Sequence, residues 1–327
     1  MHRLKHCAVA VAVAVAVAIA ILGTARAQPV PAGDFHQHVF SEQAIALSGL
    51  ASGLTPLDAD GVVALLDAAG IRKGVLLSTA YMFGSPRLQL DDEYARVRRE
   101  NDWTAAQAAR HPQRLIALCG FNPLKDYALA ELRRCAGLPG LRRGIKLHFG
   151  NADVRLDDPA HVDKLRRVFA AANVARMAIV VHLRASIRNE RPYGAEQARI
   201  FLNRLMPAAP DVTVQVAHLA GAGPGFDDPP ARAVLATLAQ AVQQRAPGTR
   251  NLWFDVASIV TADTTPGDAQ EIAQRIRQIG AARVLFGSDA AQGANLRPRA
   301  AWAAFLTLPL SEAEVARIAR NVPPYVP

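Results

Sequence analysis

The chain has 327 residues and a formal net charge of +9, with 51% hydrophobic and 20% charged residues. The positive charge is spread thinly, without a block of lysine and arginine or interleaved aromatic residues, so we expect no nucleic-acid partner. The composition is that of a folded chain with enough apolar residues for a large core.

The first 27 residues have the pattern of an export signal. A basic start at Arg3 and Lys5 precedes an apolar run rich in alanine and valine, and the small-x-small pattern Ala25-Arg-Ala27 follows. The apolar run is shorter than the roughly 20 residues that span a bilayer, so we expect cleavage rather than anchoring. We therefore predict a signal peptide over residues 1–27, a periplasmic or secreted protein, and no membrane association after cleavage. The segment carries three basic residues and no acidic ones, so its removal lowers the net charge from +9 to +6.

Strands and helices alternate along residues 28–327, without a change of composition that would mark a second domain. This alternation predicts parallel strands joined by right-handed crossovers. Eight such units fit a single α/β domain, a closed (β/α)8 barrel of the TIM type, better than an open doubly wound sheet, which the pattern alone leaves open. The predicted strands are residues 34–38, 73–79, 114–121, 144–148, 177–182, 214–218, 251–257 and 284–289, and the predicted helices are residues 57–69, 91–110, 127–136, 159–172, 195–205, 231–244, 268–279 and 311–320.

Two cysteines remain after the signal, Cys119 in a predicted strand and Cys135 in a predicted helix. An exported protein meets an oxidising environment, in which the two thiols could pair. Their positions in two different kinds of element favour two free, packed thiols.

Polar residues end five of the predicted strands. In a parallel barrel the carboxyl ends of all strands meet at one face, where the chemistry lies. Side chains two apart on a strand share a face, so we expect His218 to lie on the same face as Val214 and Val216. The polar residues at these ends are His36, His38, Lys146, His148, His182, His218 and Asp289.

Four of these residues form a plausible set of metal ligands. A buried histidine taken alone is more often a hydrogen-bonded core residue, but several at one end of a barrel favour a metal site. Zinc prefers nitrogen and oxygen ligands, and a catalytic site leaves one position for water. We predict one divalent ion rather than two, zinc with manganese as the alternative, held by His36, His38, His182 and Asp289.

Lys146, His148 and Arg184 each have two interpretations. A desolvated lysine can lose its proton, so Lys146 could take up CO2 as a carbamate that bridges two metals, with His148 beside it, or it could bind substrate or a carboxylate across the barrel. His148 likewise could serve a bridged metal pair or bind substrate. Arg184 could clamp an anionic group of the substrate or form a loop salt bridge.

Several motifs in their order along the chain resemble the amidohydrolase superfamily, in particular its amidohydrolase-2 branch. The resemblance implies a distorted (β/α)8 barrel that holds one or two divalent metals. It rests on Asp34-Phe-His-Gln-His38, Asn101-Asp-Trp103, His111-Pro-Gln-Arg-Leu115, Phe121-Asn-Pro123, Gly144-Ile-Lys-Leu-His148, His182, His218 and Phe286-Gly-Ser-Asp289.

The resemblance implies that the four ligands named above bind the metal and that His218 polarises a substrate carbonyl. We therefore expect a metal-dependent hydrolase that cleaves an amide, lactone or ester bond of a small molecule by a metal-activated water, with Asp289 accepting the water's proton. Family members that decarboxylate aromatic acids often have Glu or Ala where this chain has His36, which favours hydrolysis. A metal-dependent decarboxylase and a non-catalytic exported binding barrel are the alternatives, and the sequence is compatible with a homo-oligomer.

Overall fold

The computed structural model describes residues 28–48, 56–290 and 293–327. The predicted signal peptide, residues 1–27, lies outside the described residues. Strands and helices alternate as the sequence predicts. The strands are β1 (Asp34–Gln37), β2 (Gly74–Leu77), β3 (Leu115–Gly120), β4 (Gly144–His148), β5 (Ala178–His182), β6 (Val214–Val216), β7 (Leu252–Asp255) and β8 (Val284–Leu285). The α-helices are α1 (Glu42–Ser48), α2 (Ala59–Ala68), α3 (Glu93–Arg110), α4 (Ala128–Ala136), α5 (Pro159–Val174), α6 (Ala195–Ile200), α7 (Pro229–Gln243), α8 (Pro266–Ile279), α9 (Pro298–Phe305) and α10 (Glu312–Arg320).

The eight strands pair in parallel in the order β1 to β8 and form a nearly closed (β/α)8 barrel. β4 and β5 pair over their full length, which places His148 directly opposite His182 at the carboxyl ends of these strands. In the part of the chain that the structure describes, no helix is both long and apolar enough to cross a membrane.

The last strand meets the first at a short seam. The backbone N–H of Phe35 donates to the carbonyl of Phe286 at 2.9 Å, and that of Asp289 donates to the carbonyl of His36 at 2.8 Å. A β-carbon at Gly287 would lie 2.7 Å from the β-carbon of His36, so a side chain at this position would push the two segments apart. The absence of a side chain at Gly287 therefore lets the barrel close.

A buried side-chain network holds the same seam. The carboxylate of Asp34 accepts hydrogen bonds from Gln37 Nε2 and from the Ser288 hydroxyl, each at 2.6 Å, and from the Ser288 backbone N–H at 3.0 Å. All three residues are buried. Because Asp34 and Gln37 lie on β1 while Ser288 follows β8, the network ties the first strand to the chain that follows the last.

Two apolar clusters lie on the two sides of the sheet. Ile145, Leu147 and Phe149 pack outward against the helices, as the alternation along β4 predicts. A smaller cluster fills the barrel interior and includes Val180 of β5 together with Tyr325 from the last residues of the sequence. The barrel is therefore a packed core rather than an open channel.

The structure corrects the predicted face of β6. Val214 and Val216 belong to the outer cluster, whereas Gln215 points into the barrel. β6 ends at Val216, and the chain then turns through His218 and Leu219, which have positive φ angles of 55° and 46°. This turn, rather than strand alternation, brings His218 to the site, so the prediction that it shares a face with the two valines is wrong.

The prediction of two free thiols is also wrong. Cys119 on β3 and Cys135 on α4 form a disulfide, with their α-carbons 6.3 Å apart. Helix α4 begins soon after β3, and the chain between them brings the two α-carbons within the range that a disulfide spans. The connection between strand and helix decides the pairing, and residue types alone do not reveal it.

Candidate metal centre

Three side chains converge at the carboxyl end of the barrel. Oδ1 of Asp289 lies 3.5 Å from Nε2 of His38 and 3.8 Å from Nε2 of His36. The ligand atoms of the three residues all lie within 4.8 Å of one another, and the three residues are buried. An ion with bonds of about 2.1 Å keeps tetrahedral ligands about 3.4 Å apart, so this spacing fits one divalent ion.

The hydrogen bonds of the two histidines set their tautomers. Nδ1 of His38 lies 2.6 Å from the carbonyl oxygen of Leu77, and Nδ1 of His36 lies 3.1 Å from Oδ2 of Asp255. Carbonyl and carboxylate oxygens accept hydrogen bonds, so each Nδ1 carries the proton and each Nε2 keeps a lone pair. The lone pairs are on the atoms that face Asp289, which is the arrangement a metal ion requires.

Asp255 is the functional residue that the sequence analysis missed. Besides His36, its carboxylate accepts from Gln215 Nε2 at 2.7 Å, from the His218 backbone N–H at 2.9 Å and from the Ala257 backbone N–H at 3.2 Å. Burial alone would raise its pKa, but His36 and, to a smaller extent, His218 hold the pKa of Asp255 well below its ordinary value. Asp255 ends β7 after an apolar run, which is the same signal that identified the other site residues.

The hydrogen bond that His218 donates leaves its other ring nitrogen, Nε2, as an acceptor. Its ring lies 4.6 Å from that of His36, and its Nδ1 donates to the carbonyl oxygen of Ala257 at 2.9 Å. Burial, with a further contribution from His36, lowers the pKa of His218 to about 3. The neutral ring therefore presents a lone pair at Nε2, which can accept a proton or bind an ion. The donation to a carbonyl oxygen that the family resemblance implies would need a proton on this atom.

His148 has the opposite tautomer. Its Nδ1 accepts the backbone N–H of Asn151 at 3.1 Å, so Nε2 carries the proton in the neutral ring. The ring stacks on His182 at 3.8 Å and lies 4.9 Å from the ring of Tyr81. Of the two roles considered for His148, its hydrogen bonds favour binding of substrate over binding of a second metal.

His182 lies beside the three-residue cluster rather than within it. Its ring centroid is 5.0 Å from that of His218, and its ring stacks on that of His148. Burial lowers the pKa of His182 well below its ordinary value, so the ring is neutral, as a ligand must be. Its assignment as a fourth ligand stays a prediction.

Lys146 and Arg184 differ in how they are held. Nζ of Lys146 lies 3.2 Å from Nε2 of His36, and burial lowers the pKa of this lysine to about 8. Arg184 is bound on one edge by Asp228, with its Nε 2.6 Å from Oδ2 and its Nη2 3.3 Å from Oδ1, and it stacks over Tyr193. Arg184 therefore makes the loop salt bridge, and Lys146 is the cation that faces the cluster.

Asp289 combines an unusual backbone with a shifted carboxyl group. Its φ angle is 53°, and Asn295 holds it through bonds from Nδ2 to its carbonyl oxygen at 2.8 Å and to Oδ2 at 3.0 Å. Burial raises the pKa of Asp289 to about 6, although His36 and Lys146 act in the opposite direction. Left-handed non-glycine residues, which also include His218 and Ser258, are typical of functional sites.

We expect the metal-free protein to lose stability as the pH falls from 7.5 to 5.5. Burial lowers the pKa of four histidines, so below about pH 6.5 the unfolded chain binds more protons than the folded one. Each histidine then lowers the free energy of unfolding by about 1 kcal/mol at pH 5.5. Asp289 has a raised pKa and so acts in the opposite direction, but it is one group against four histidines. Urea midpoints of chelator-treated protein test this, and a constant midpoint would contradict it. The four histidines are His38, His148, His182 and His218.

Comparison with known proteins agrees with this architecture. A family model described as "Amidohydrolase" matches residues 34–321. No curated protein matches the chain. Among solved structures, a dihydroxybenzoic acid decarboxylase from a Polaromonas species, solved with bound manganese, is 19% identical, with a TM-score of 0.61 over 89% of this chain and 95% of that one.

Two further structures are similar. A 5-carboxyvanillate decarboxylase from Sphingomonas paucimobilis is 18% identical, with a TM-score of 0.59 over 89% of this chain and 96% of that one. A protein described as amidohydrolase II is 16% identical, with a TM-score of 0.58 over 88% of this chain and 96% of that one. The structural likeness supports the fold, and the family model spans all three residues of the cluster. The chain therefore belongs to the amidohydrolase family, whose superfamily consists of metal-dependent enzymes.

Proposed function

We propose that the protein is a metal-dependent hydrolase that cleaves an amide, lactone or ester bond of a small molecule. The observation that carries the proposal is the convergence of two histidine lone pairs and one carboxylate oxygen in a buried site. A divalent ion bound there, zinc or manganese, would lower the pKa of a coordinated water and polarise the scissile carbonyl. His36, His38 and Asp289 would hold the ion, with His182 as a further ligand.

Asp289 is the proposed proton acceptor. As the water oxygen bonds to the carbonyl carbon, the carboxylate takes the water's proton and later passes it to the leaving nitrogen or oxygen when the old bond breaks. Burial raises the pKa of Asp289 to about 6 in the metal-free site, and a bound ion would favour the charged carboxylate that accepts the proton. Asn295 keeps the carboxylate oriented during the transfer through its bond to Oδ2.

His148 and His218 receive complementary roles. His148 carries its proton on Nε2 and can donate to the carbonyl oxygen as negative charge develops there. His218 keeps its lone pair on Nε2 and serves as an acceptor on the other side of His182. This assignment moves the oxyanion-stabilising role expected of His218 to His148.

A metal-dependent decarboxylase is the second candidate. Two similar structures, at 19% and 18% identity, are decarboxylases of aromatic acids. The reaction would require a proton donor at the carbon that loses CO2, and protonated Asp289 would be the candidate donor. His36 at the first position of the opening motif favours hydrolysis.

One experiment separates these functions from a non-catalytic binding barrel. Purified protein is loaded with Zn²⁺ or Mn²⁺, its metal content is measured, and it is screened against lactones, esters, amides and aromatic carboxylic acids. We expect about one equivalent of metal and turnover of a lactone, ester or amide, both lost in the control variant His36→Ala/His38→Ala. Release of CO2 alone would favour the decarboxylase, and less than about half an equivalent of metal would exclude both enzymes.

We also propose that the protein is exported and acts on a small molecule without a nucleic-acid or membrane partner. The disulfide between Cys119 and Cys135 supports export, because such bonds persist in oxidising compartments. The signal pattern of residues 1–27 supports it independently. Mass spectrometry of the protein from the periplasm or medium should find an amino terminus at Gln28.

A further inference from the structure

Residues 322–327 cross the end of the barrel opposite to the candidate metal centre. Arg143, just before β4, reaches the carbonyl oxygen of Tyr325 at 3.4 Å, and Lys73, just before β2, contacts the carbonyl oxygen of Pro327. The side chain of Tyr325 enters the barrel and belongs to the inner cluster with Val180 and Leu285, and only 9% of the residue is exposed. Tyr325 therefore closes the amino-terminal end of the barrel.

Its hydroxyl begins a path of buried hydrogen bonds. The hydroxyl donates to Oε1 of Gln215 at 2.7 Å, and Nε2 of Gln215 donates to Oδ2 of Asp255 at 2.7 Å. The same oxygen accepts Nδ1–H of His36 at 3.1 Å. Three hydrogen bonds thus join Tyr325 to His36 through the interior of the barrel.

The direction of each bond in this path is determined. The amide of Gln215 could be turned two ways, but Asp255 and the carbonyl of Phe35, 3.4 Å away, can only accept. Its NH2 group must therefore face them, and Oε1 faces Tyr325, which donates. Burial raises the pKa of Tyr325 well above its ordinary value, so the hydroxyl keeps its proton.

We propose that Tyr325 is a positioning residue for the metal centre. By orienting Gln215 it fixes the carboxylate of Asp255, and that carboxylate keeps the proton of His36 on Nδ1 and its lone pair directed at the ion. The proposal rests on the proposed function in one respect, namely that His36 is a ligand. A purely apolar plug would need no hydroxyl, whereas the hydroxyl of Tyr325 supplies the hydrogen bond that Oε1 of Gln215 accepts.

The substitution Tyr325→Phe tests this path of hydrogen bonds because it removes the hydroxyl and keeps the ring that fills the barrel. We expect the affinity for Zn²⁺, measured by competition with a chromophoric chelator, to fall about 5-fold. This is less than the 10–100-fold typical of losing a group that contacts a ligand directly. Tyr127→Phe is the matched control, because the hydroxyl of Tyr127 also makes a 2.7 Å bond, to Glu93, but outside the barrel. It should bind Zn²⁺ as the wild type does.

Two further readouts distinguish positioning from simple plugging. In nitrogen NMR spectra of the metal-free protein, the ring signals of His36 should shift towards a mixture of tautomers in Tyr325→Phe and stay unchanged in Tyr127→Phe. If the residues act through one path, Tyr325→Phe should add nothing to the loss of affinity caused by Gln215→Leu.

Unchanged Zn²⁺ affinity and unchanged His36 signals in Tyr325→Phe, even with a lower Tm, would contradict the positioning role. Tyr325 would then only fill the end of the barrel. A wild-type protein that binds no Zn²⁺ or Mn²⁺ would instead overturn the proposed function. In that case the His36 signals of the metal-free protein still show whether Tyr325 orients His36 through the path of hydrogen bonds.

Discussion

Replacing Asp289 by asparagine is expected to lower kcat by at least about 100-fold at saturating metal, because general-base assistance is typically worth 10²–10⁴-fold. Asparagine keeps the size of the side chain and one carbonyl oxygen, but it has no negative charge and cannot take a proton. Thermal unfolding should stay near that of the wild type, because the barrel is stabilised mainly by its two apolar clusters.

The measurement is kcat across a titration with Zn²⁺ or Mn²⁺, since metal affinity is also expected to fall. Asp163→Asn, which changes a mostly exposed carboxylate on α5, is the control and should keep wild-type turnover. If metal-saturated Asp289→Asn turned over as fast as the parent protein, the role of proton acceptor given to Asp289 would be wrong.

Replacing Asp255 by asparagine should weaken metal binding about 10–100-fold, although Asp255 is not proposed to touch the ion. Its two oxygens accept four hydrogen bonds, two on Oδ2 from His36 and Gln215 and two on Oδ1 from backbone N–H groups. An asparagine has one oxygen and one NH2 group. Two of the four donors must therefore face the NH2 group, which is itself a donor. When the NH2 group faces His36, the ring has to move its proton to Nε2, and the lone pair for the metal is lost.

Chelator competition with Zn²⁺ measures the affinity, and the urea midpoint reports the accompanying loss of stability. Asp157→Asn serves as a control, since Asp157 pairs with Arg155 at the surface. An Asp255→Asn protein with unchanged Zn²⁺ affinity would show that the orientation of His36 does not depend on this carboxylate.

The barrel and the convergence of three polar side chains could be predicted because both depend on local patterns. An apolar run that ends in a polar residue identifies a strand and its carboxyl end together, and the barrel topology brings those ends to one face. This logic correctly placed His36, His38 and Asp289 together. It applies equally to Asp255, but the predicted strand of residues 251–257 runs two residues past the observed end of β7, so the position of Asp255 at the strand end was not recognised.

Other features depend on contacts between distant parts of the chain and cannot be read from a pattern. The tautomers of His38 and His218 are set by carbonyl oxygens of Leu77 and Ala257, and any residue at those positions offers the same oxygen. Strand alternation also fails where the backbone turns left-handed, as it does at His218. The sequence therefore predicts which residues meet, whereas their roles as donors or acceptors emerge only in the fold.

Because the candidate metal centre lies at the seam between β8 and β1, a bound ion would link the two ends of the barrel. His36 lies on the first strand and Asp289 follows the last, so an ion held by both would join the two ends of the barrel chain into one large ring. Closing so long a loop restricts the unfolded chain more than a bridge between neighbouring strands would. Detachment of β1 or β8 from the sheet would also require the ion to lose a ligand. A bound ion would therefore oppose local unfolding of the barrel from its ends.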